Sequence, residues 1–432
     1  MKVLIISHNP ITTYQNMGKT MLSLFSAFDK SEICQLYIYP TIPDINRCSS
    51  FYRITDKDVL KSYYRFHVRG KEISIEEIEN TTRQIFENEK DEALYRNKKN
   101  KTAIRMLARD LMWACAHWYN KRLEEWLKRE NPSCIFVVPG TAKFLYNIAL
   151  KISKKFNLPI IPYICDDYYF VNKPKGFLNQ IKQKLLSKKI EKLLKRSSQL
   201  VVVCEELKQH YQKRFDLPTT VIMTGSNYPI VERIRVVDNP TVITYMGNVR
   251  CDRYYSLVEL GRALDNINAK NNTTFLLHIY TGEKDKDILS KLQSVKSIEL
   301  RGFVGGKEFD EIFHSTEVLL HTEAFFSTSI DLVKHSVSTK IADSLGSGIP
   351  LLAYGPNKVA SLAHLIRNNC AFTITNQNTL EEELLKFLSN KQQREAYAEN
   401  GLLTAREYHN SDKIGELFYN IMGKINESTS NQ

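Results

Sequence analysis

The chain has 432 residues and a formal net charge of +12, and at this length two domains are expected rather than one compact core. Hydrophobic residues make up 43% and charged residues 25% of the sequence, which excludes an intrinsically disordered protein. No apolar run has the length of a signal peptide or a membrane span, and the eight cysteines are scattered singly. These features predict a cytoplasmic protein with free thiols and no metal site.

The first half of the chain alternates strand-like runs with helical patterns, which is typical of a parallel sheet covered by helices on both faces. Strands are predicted at Val3–Ser7, Cys34–Tyr39, Ile135–Pro139, Ile160–Cys165 and Leu200–Cys204. Helices are predicted at Gly18–Phe28, Ile104–Arg129, Lys143–Phe156 and Leu178–Lys195. The polar stretch from Ser49 to Lys101 interrupts this alternation and is predicted to be a helical insertion.

The second half repeats the alternation after a polar link that ends at Asn239-Pro240. Its strands are predicted at Val242–Met246, Phe275–Thr281, Ile298–Gly302, Val318–Thr322 and Leu351–Tyr354. The sequence thus predicts an α/β protein with two doubly wound domains, residues 1–232 and 233–404. A C-terminal helix at about residues 405–425 has no strand after it and is expected to pack back on the first domain.

Residues 338–356 give the strongest indication of a binding site. Ser338 and Thr339 are suited to the start of a helix, and Lys340 adds a cation to its first turn. Free backbone N–H groups, hydroxyls and a cation together favour an anion such as phosphate. Asp343, one turn further on, is a candidate acceptor of hydrogen bonds from sugar hydroxyls. The alternative is an ordinary capped helix of an α/β domain.

Glycine-bearing loops follow other strands of the second half at their carboxyl ends, where open α/β sheets bind ligands. Gly247 and Arg253 follow the strand Val242–Met246, and Phe303 and Val304 follow the third strand. A single glycine of this kind can be a plain turn residue. Because several such loops fall in register with the helix at residue 338, the sequence predicts a nucleotide-diphosphate site.

Residues 173–196 carry nine Lys or Arg against one Glu, with apolar residues at helical spacing. Either the apolar side of this basic helix packs on the domain and its lysines are solvated, or the helix docks on an anionic membrane surface. The candidate membrane-facing residues are Lys182, Lys188, Lys189 and Lys192. A second basic stretch, Arg96 to Arg109, supports membrane docking, and no recognition motif for nucleic acid is present.

Three titratable side chains follow strands of the first half. Asp166 and Asp167 come after the strand Ile160–Cys165, and His8 comes after the first strand. They are candidate catalytic groups that orient or deprotonate an acceptor hydroxyl. Neighbouring side chains on an extended segment point to opposite sides, so the two aspartates need not share a ligand. The alternatives are loop hydrogen bonds for the aspartates and a buried, hydrogen-bonded histidine.

On these residues the chain resembles the GT-B glycosyltransferases, specifically the group-1, family-4-like enzymes that build bacterial surface polysaccharides. The resemblance is carried by Gly247 with Arg253 six positions on, by the turn at residues 301–305, and by residues 339–350. It implies two Rossmann-like domains facing a cleft. It also implies transfer of a sugar from a nucleotide-diphosphate sugar to a glycan or lipid-linked acceptor, with retention of configuration and without a metal ion or cofactor.

The resemblance also implies roles for the residues that match the family. The implied donor-binding residues are Gly18, Gly247, Arg253, Phe303, Val304, Ser338, Thr339, Lys340 and Asp343. Arg253 and Lys340 would hold the diphosphate, assisted by the amides of residues 338 and 339. Asp343 would contact the ribose, and the backbone at residues 303–304 the nucleobase.

The chain departs from the family pattern on the side of the sugar. His335 stands where the family often has the first of two glutamates, and Glu323 or Asp331 is a candidate substitute for that acid. Two other classes therefore stay open beside a transferase at the inner face of the cell membrane. One is a nucleotide-sugar epimerase or hydrolase of the same fold, and the other is a non-catalytic glycan- or membrane-binding relative.

Overall fold

A computed structural model describes residues 1–12, 16–43, 46–64, 70–82, 102–171 and 176–430 of the chain. The chain forms two compact units, the first comprising residues 1–222 and 411–432 and the second residues 223–410. Across these described residues, no helix combines the length and the apolarity that crossing a bilayer requires.

The first unit is built on an eight-stranded sheet. Its strands are β1 Val3–Ser7, β2 Ile33–Tyr37, β3 Ser50–Arg53, β4 Lys71–Ile73, β5 Cys134–Val137, β6 Ile160–Ile164, β7 Leu200–Val202 and β8 Thr219–Val221. They lie in the order β4-β3-β2-β1-β5-β6-β7-β8, and neighbours are parallel except for β3 and β4. Because successive strands are added first on one side of β1 and then on the other, the chain changes direction between β1 and β5. This point is where open α/β sheets bind ligands.

Helices cover both faces of this sheet. They are α1 Asn16–Leu24, α2 Asp56–Ser62, α3 Ile75–Thr82, α4 Ala103–Cys115, α5 Lys121–Glu130, α6 Lys143–Phe156, α7 Phe177–Leu194 and α8 Glu205–Phe215. The C-terminal helix Ser411–Ser430 belongs to the same unit. Its Phe418 ring lies 5.2 Å from that of Phe25 and 5.3 Å from that of Phe136, so it completes the first hydrophobic core.

The second unit contains a six-stranded parallel sheet. Its strands are β9 Val242–Met246, β10 Leu276–Tyr280, β11 Ile298–Gly302, β12 Val318–Thr322, β13 Leu351–Tyr354 and β14 Phe372–Ile374. Their order is β11-β10-β9-β12-β13-β14, so here the chain changes direction between β9 and β12. The helices of this unit are α9 Arg253–Asn271, α10 Lys286–Gln293, α11 Gly306–Ser315, α12 Ser327–Val333, α13 Thr339–Gly346, α14 Ala360–Arg367, α15 Leu380–Ser389 and α16 Lys391–Tyr408. The C-terminal helix Ser411–Ser430 of the first unit is α17.

Two predictions for the first half were wrong in detail. The stretch predicted as a helical insertion contributes the strands β3 and β4, because Phe51 and Tyr52 are both buried and the Tyr52 ring packs 5.4 Å from that of Trp126. The single helix predicted at Ile104–Arg129 is two helices, and the second begins where the Asn120 side chain accepts a hydrogen bond from Leu123 N. Residues 83–101, which hold part of the Arg96–Arg109 basic stretch, lie outside the described residues, as do residues 172–175.

The second unit begins earlier in the chain than residue 233, where the sequence analysis placed the boundary. Segment 223–235 is tied to the second sheet's helices, since Asn227 N donates to Asp343 Oδ1 at 2.7 Å and Val231 N donates to Gly346 O at 3.0 Å. The link predicted from its polar composition is therefore part of the second unit.

Candidate functional site

In the second unit, a buried ion pair lies where the chain changes direction between β9 and β12. Arg253, the first residue of α9, donates from Nε and Nη2 to the two carboxylate oxygens of Glu323, each at 2.9 Å. The Glu323 side chain is 3% exposed, and that of Arg253 is 20% exposed. Burial raises the pKa of Glu323, while Arg253 opposes that rise by favouring the charged carboxylate. Glu323 therefore sets the direction of the guanidinium.

Gly247, directly after β9, leaves space for the side chain of Lys340. A Cβ atom at position 247 would lie 2.9 Å from Lys340 Nζ, so the ammonium occupies the place where any other residue would carry its side chain. His321 is buried on β12, and burial, together with the charges of Arg253 and Lys340, lowers its pKa to about 3. Both cations thus act on one neutral imidazole, and the structure brings these predicted residues together.

The helix start predicted at Ser338 is confirmed, but its hydrogen bonds differ from a standard cap. Ser338 occupies the N-cap position without a side-chain bond to the helix, and Thr339 begins α13. Ser338 N donates to Ser361 Oγ at 3.1 Å. The hydroxyl of Ser338 is consequently not used to cap the helix that carries Lys340.

Asp343 anchors the start of the second unit. Its Oδ1 accepts hydrogen bonds from Asn227 N at 2.7 Å and from Ser226 Oγ at 3.2 Å, and Asn227 Nδ2 donates to Oδ2 at 3.0 Å. Both carboxylate oxygens therefore have protein partners. The ribose contact that the resemblance implies for Asp343 stays a prediction.

Phe303 presents an aromatic surface at the carboxyl ends of the strands. Its side chain is 79% exposed, and a Cβ atom on Gly282, after β10, would lie 3.2 Å from the ring. Glycine at position 282 thus leaves room for the phenyl ring beside the strand end. Val304 follows with a half-buried side chain, whereas His335 is buried and Asp331 is exposed.

The first unit holds a cavity of about 460 Å³ at its own direction change, between β1 and β5. Residues 7–9 after β1 and residues 138–142 after β5 line one side, and residues 105, 106, 109 and 110 of α4 line another. The structure places His8 in this cavity. Its volume lies in the range of small-molecule binding sites.

The neighbours of His8 indicate which of its ring nitrogens carries the proton. Arg109 Nη2 lies 3.1 Å from His8 Nε2, and since a guanidinium only donates, Nε2 must accept. The ring proton is then on Nδ1, which lies 3.1 Å from Asn9 Oδ1. Arg109 is itself held by Asp56, to which its Nε donates at 3.0 Å. Proton abstraction by His8 would therefore require Arg109 to move away from Nε2.

The two adjacent aspartates have different surroundings. Asp167 Oδ1 accepts hydrogen bonds from the backbone N–H groups of Tyr169 and Phe170, both at 2.9 Å, and from Tyr211 OH at 3.2 Å. Asp166 is exposed and accepts from the hydroxyl of Tyr168, a residue that lines the cavity. Asp167 thus holds its loop, and Asp166 is connected to the cavity lining through Tyr168.

Gly18 permits a close approach of α1 to the loop that follows β1. A Cβ atom there would lie 2.2 Å from the carbonyl oxygen of Thr12, which no side chain tolerates. The neighbouring Met17 lines the cavity. The structure therefore places Gly18 beside the first unit's cavity, and its predicted role near donor phosphates stays a prediction.

The four lysines predicted to face a membrane divide into two groups on α7. Lys188 and Lys192 are exposed. Lys182 lies with Nζ 3.5 Å from Met106 Sδ, and Lys189 donates to Asn147 Oδ1 at 2.6 Å while burial lowers its pKa. The apolar side of the helix is likewise divided, since Leu186, Ile190, Leu193 and Leu194 are buried whereas Phe177, Leu178 and Leu185 are exposed.

The sequence indicated Arg105 and Arg109 only as part of the basic stretch Arg96 to Arg109, and it did not indicate Asp110 or a place for these residues in a cavity. Arg105, Arg109 and Asp110 line the cavity, and Asp110 lies 3.3 Å from the ammonium of Lys143. Burial raises the pKa of Asp110, and Lys143 opposes that rise. Their partners are distant in sequence and form no motif, so only an i, i+4 pair of arginines on one helix face could have indicated them.

No family model matches this sequence, and the search of curated proteins gave no match. Solved structures of glycosyltransferases share its fold over nearly the whole chain. WaaG, a glycosyltransferase involved in lipopolysaccharide biosynthesis, is 13% identical with a TM-score of 0.56, covering 96% of this chain and 99% of WaaG. HepE of Anabaena, solved in complex with UDP, is 12% identical with a TM-score of 0.62, covering 98% and 100%.

Sucrose-phosphate synthase of Thermosynechococcus elongatus is similar at 10% identity and a TM-score of 0.61, covering 99% of this chain and 100% of the synthase. These neighbours have the two-domain GT-B architecture. The predicted fold, α/β with two Rossmann-like doubly wound domains, is therefore confirmed. At such low identity the similarity establishes the fold, and function has to be argued from the residues.

Proposed function

We propose that this chain is a glycosyltransferase that moves a sugar from a nucleotide-diphosphate sugar to a glycan or lipid-linked acceptor, in the synthesis of a bacterial surface polysaccharide. One observation carries the proposal: at the direction change of the second sheet, Glu323 holds the Arg253 guanidinium by two hydrogen bonds, the Lys340 ammonium lies against Gly247, and both cations lower the pKa of His321. Ligands of open α/β sheets bind at this place, and two fixed cations suit a diphosphate. The GT-B fold, shared with the UDP complex of HepE, supports the assignment.

The proposed chemistry depends on the leaving group. When the bond between the sugar and the diphosphate breaks, negative charge develops on the phosphate oxygens while the sugar carbon becomes cationic. Cations that are already in position stabilise this charge without reorganisation. Glu323 holds the Arg253 guanidinium by two hydrogen bonds, and Gly247 leaves space for the Lys340 ammonium. Retention of configuration and independence from a metal ion are part of the proposal.

The exposed Phe303 ring and the cavity of the first unit supply the remaining functions in this proposal. An aromatic face at the strand ends suits stacking of a nucleobase, and 79% of the Phe303 side chain is exposed for it. The cavity beside His8 and Asp166 is the proposed acceptor site, with Asp166 as the group that orients the acceptor hydroxyl.

Incubating the chain with a panel of UDP- and GDP-sugars tests the proposal. A transferase releases the nucleoside diphosphate in proportion to added acceptor, and the sugar appears in the product. Conversion of the sugar without an acceptor would instead identify an epimerase, and acceptor-independent release of free sugar a hydrolase. Absence of any nucleotide affinity in a thermal-shift assay would favour a non-catalytic binding protein.

Gly247→Ala is expected to weaken binding of UDP or GDP about tenfold, because the added methyl group displaces the Lys340 ammonium and costs part of one charge-assisted hydrogen bond. Isothermal titration calorimetry measures the change. Gly423→Ala is the matched control, because a Cβ atom at position 423 meets nothing within 4 Å. Equal nucleotide affinity of the two variants would contradict the placement of Lys340.

We further propose that the protein docks peripherally on the anionic inner face of the cell membrane through α7. Lys184, Lys188 and Lys192 are exposed on this helix, beside the exposed apolar side chains of Phe177, Leu178 and Leu185. Basic residues near an anionic surface contribute about 1 kcal/mol each, and exposed apolar side chains add insertion into the interface.

Replacing Lys184, Lys188 and Lys192 by Gln is expected to abolish sedimentation with phosphatidylglycerol-containing vesicles, since about 3 kcal/mol of attraction is removed. Vesicles of phosphatidylcholine alone should bind neither the wild-type protein nor this triple variant. A second triple variant, Lys284, Lys307 and Lys386→Gln, removes the same charge from exposed positions of the second unit and is expected to sediment normally. If both triple variants lose binding equally, the attraction is a property of net charge and not of α7.

A further inference from the structure

The cavity lining of the first unit carries a cation besides those that pair with Asp56 and Asp110. Asp56 pairs with Arg109 at 2.9 Å, and Asp110 lies 3.3 Å from the Lys143 ammonium, so each of these carboxylates has a cation of its own. Arg105 lines the same cavity one turn before Arg109. Within the described ranges it forms no ion pair. Its charge is therefore not compensated by a described residue.

A second cation contacts a residue of the cavity lining. Lys182 Nζ is 3.5 Å from the sulfur of Met106, which lines the cavity next to Arg105. Lys182 is half-buried and has no acidic partner in the part of the chain that the structure describes. One cation of α4 thus lines the cavity, and one cation of α7 contacts Met106 beside it in the lining.

The rest of the lining is largely apolar. Met17, Met106, Val138, Phe144 and Leu145 line the cavity, and methionine side chains adapt to ligands of different shape. A volume of about 460 Å³ accommodates a sugar or a comparable group. The lining therefore suits a ligand with an anionic end and a less polar body.

We propose that this cavity binds the acceptor through a phosphate ester, held by Arg105 and Lys182. The inference rests on the proposed function, since it assigns the class of acceptor. Two cations that form no ion pair among the described residues match the double charge of a phosphate monoester better than the single charge of a carboxylate. The Arg105 guanidinium can also bind two phosphate oxygens at once. The body of the ester is either a soluble sugar or a lipid, and the phosphate is common to both.

Isothermal titration calorimetry with three probes tests the inference. Hexyl phosphate carries both the charge and the apolar chain, hexanol only the chain, and glycerol 3-phosphate only the charged ester. We expect hexyl phosphate to bind and hexanol not to bind measurably. Arg105→Gln should weaken hexyl phosphate binding about tenfold, the effect of one lost charge-assisted interaction. Arg122→Gln removes the same charge from an exposed position on α5 and should leave binding unchanged.

The outcomes distinguish a lipid phosphate from a soluble one, and they distinguish a failure of this inference from a failure of the proposed function. Tighter binding of hexyl phosphate than of glycerol 3-phosphate assigns a lipid phosphate, and equal binding assigns a soluble one. Hexanol binding as tightly as hexyl phosphate, or an Arg105→Gln variant that binds like wild type, overturns the inference. UDP and GDP are titrated into the same preparation. Nucleotide binding without a phosphate preference in the cavity leaves the proposed function intact, whereas phosphate binding without nucleotide binding contradicts only that function.

Discussion

Replacing Lys340 by alanine is expected to weaken binding of UDP or GDP about 30- to 100-fold while leaving binding of the nucleoside unchanged. The ammonium lies against Gly247 at the carboxyl end of β9, and the residue as a whole is exposed. Hydrogen bonds to charged groups contribute about 1.5–3 kcal/mol, which converts to this loss in affinity. Calorimetric titration of the nucleoside, monophosphate and diphosphate shows which part of the ligand loses its contact.

Lys386→Ala serves as the control for this experiment. Lys386 is an exposed lysine on α15, so its loss changes the net charge equally without touching Gly247 or His321. The Lys340→Ala variant should also show a weaker salt dependence of diphosphate binding, because one of the two cations that attract the phosphates is removed. A proportional loss for nucleoside and diphosphate would show that Lys340 acts on the shape of the site and not on the phosphates.

Glu323→Ala is expected to lower the free energy of unfolding of the second unit by about 3 kcal/mol, since it leaves the Arg253 charge buried without its partner. Hydrogen exchange at β9 and β12 measures this change. Glu381→Ala is the comparison, because it breaks an ion pair with Lys270 in which both side chains are more exposed. Exposed ion pairs contribute about 0–1 kcal/mol to stability, so Glu381→Ala should lower the free energy of unfolding clearly less than Glu323→Ala does.

A double variant separates the stability of the ion pair from its function. Arg253→Met with Glu323→Leu replaces both charges by apolar side chains, and such replacements of buried pairs are often neutral. We expect this variant to regain most of the stability that Glu323→Ala loses but not to bind UDP or GDP with normal affinity. Normal nucleotide binding by the double variant would contradict a role of Arg253 at the diphosphate.

The two sheets place their candidate sites by the same topological rule. In each unit the chain adds strands first on one side of a central strand and then on the other, between β1 and β5 and between β9 and β12. Loops at such a point separate in opposite directions, which leaves a crevice at the carboxyl ends of the strands. His8 lies at the first crevice, and Gly247 and Glu323 lie at the second.

Periodicity in the sequence was sufficient to predict most of both sheets. The strands Val3–Ser7, Val242–Met246, Ile298–Gly302, Val318–Thr322 and Leu351–Tyr354 are observed with the predicted bounds. Buried parallel strands are short, continuous apolar runs that end at polar or glycine residues, so their first and last residues can be predicted from the sequence. The strand at Ser50–Arg53 was missed because it lies in a polar stretch and is held by tertiary contacts such as that between Tyr52 and Trp126.

The donor residues could be proposed from local signals, because Gly247 and Lys340 each belong to a strand end or a helix start that is recognisable by itself. Only the folded structure decides which side chains meet. It pairs Arg253 with Glu323, 70 residues apart, and it engages Asp343 with Ser226 and Asn227. It also assembles a cavity from α4, α6 and the ends of two strands. Partners of this kind are chosen by the order of strands in a sheet, which brings distant residues together and leaves no local pattern in the sequence.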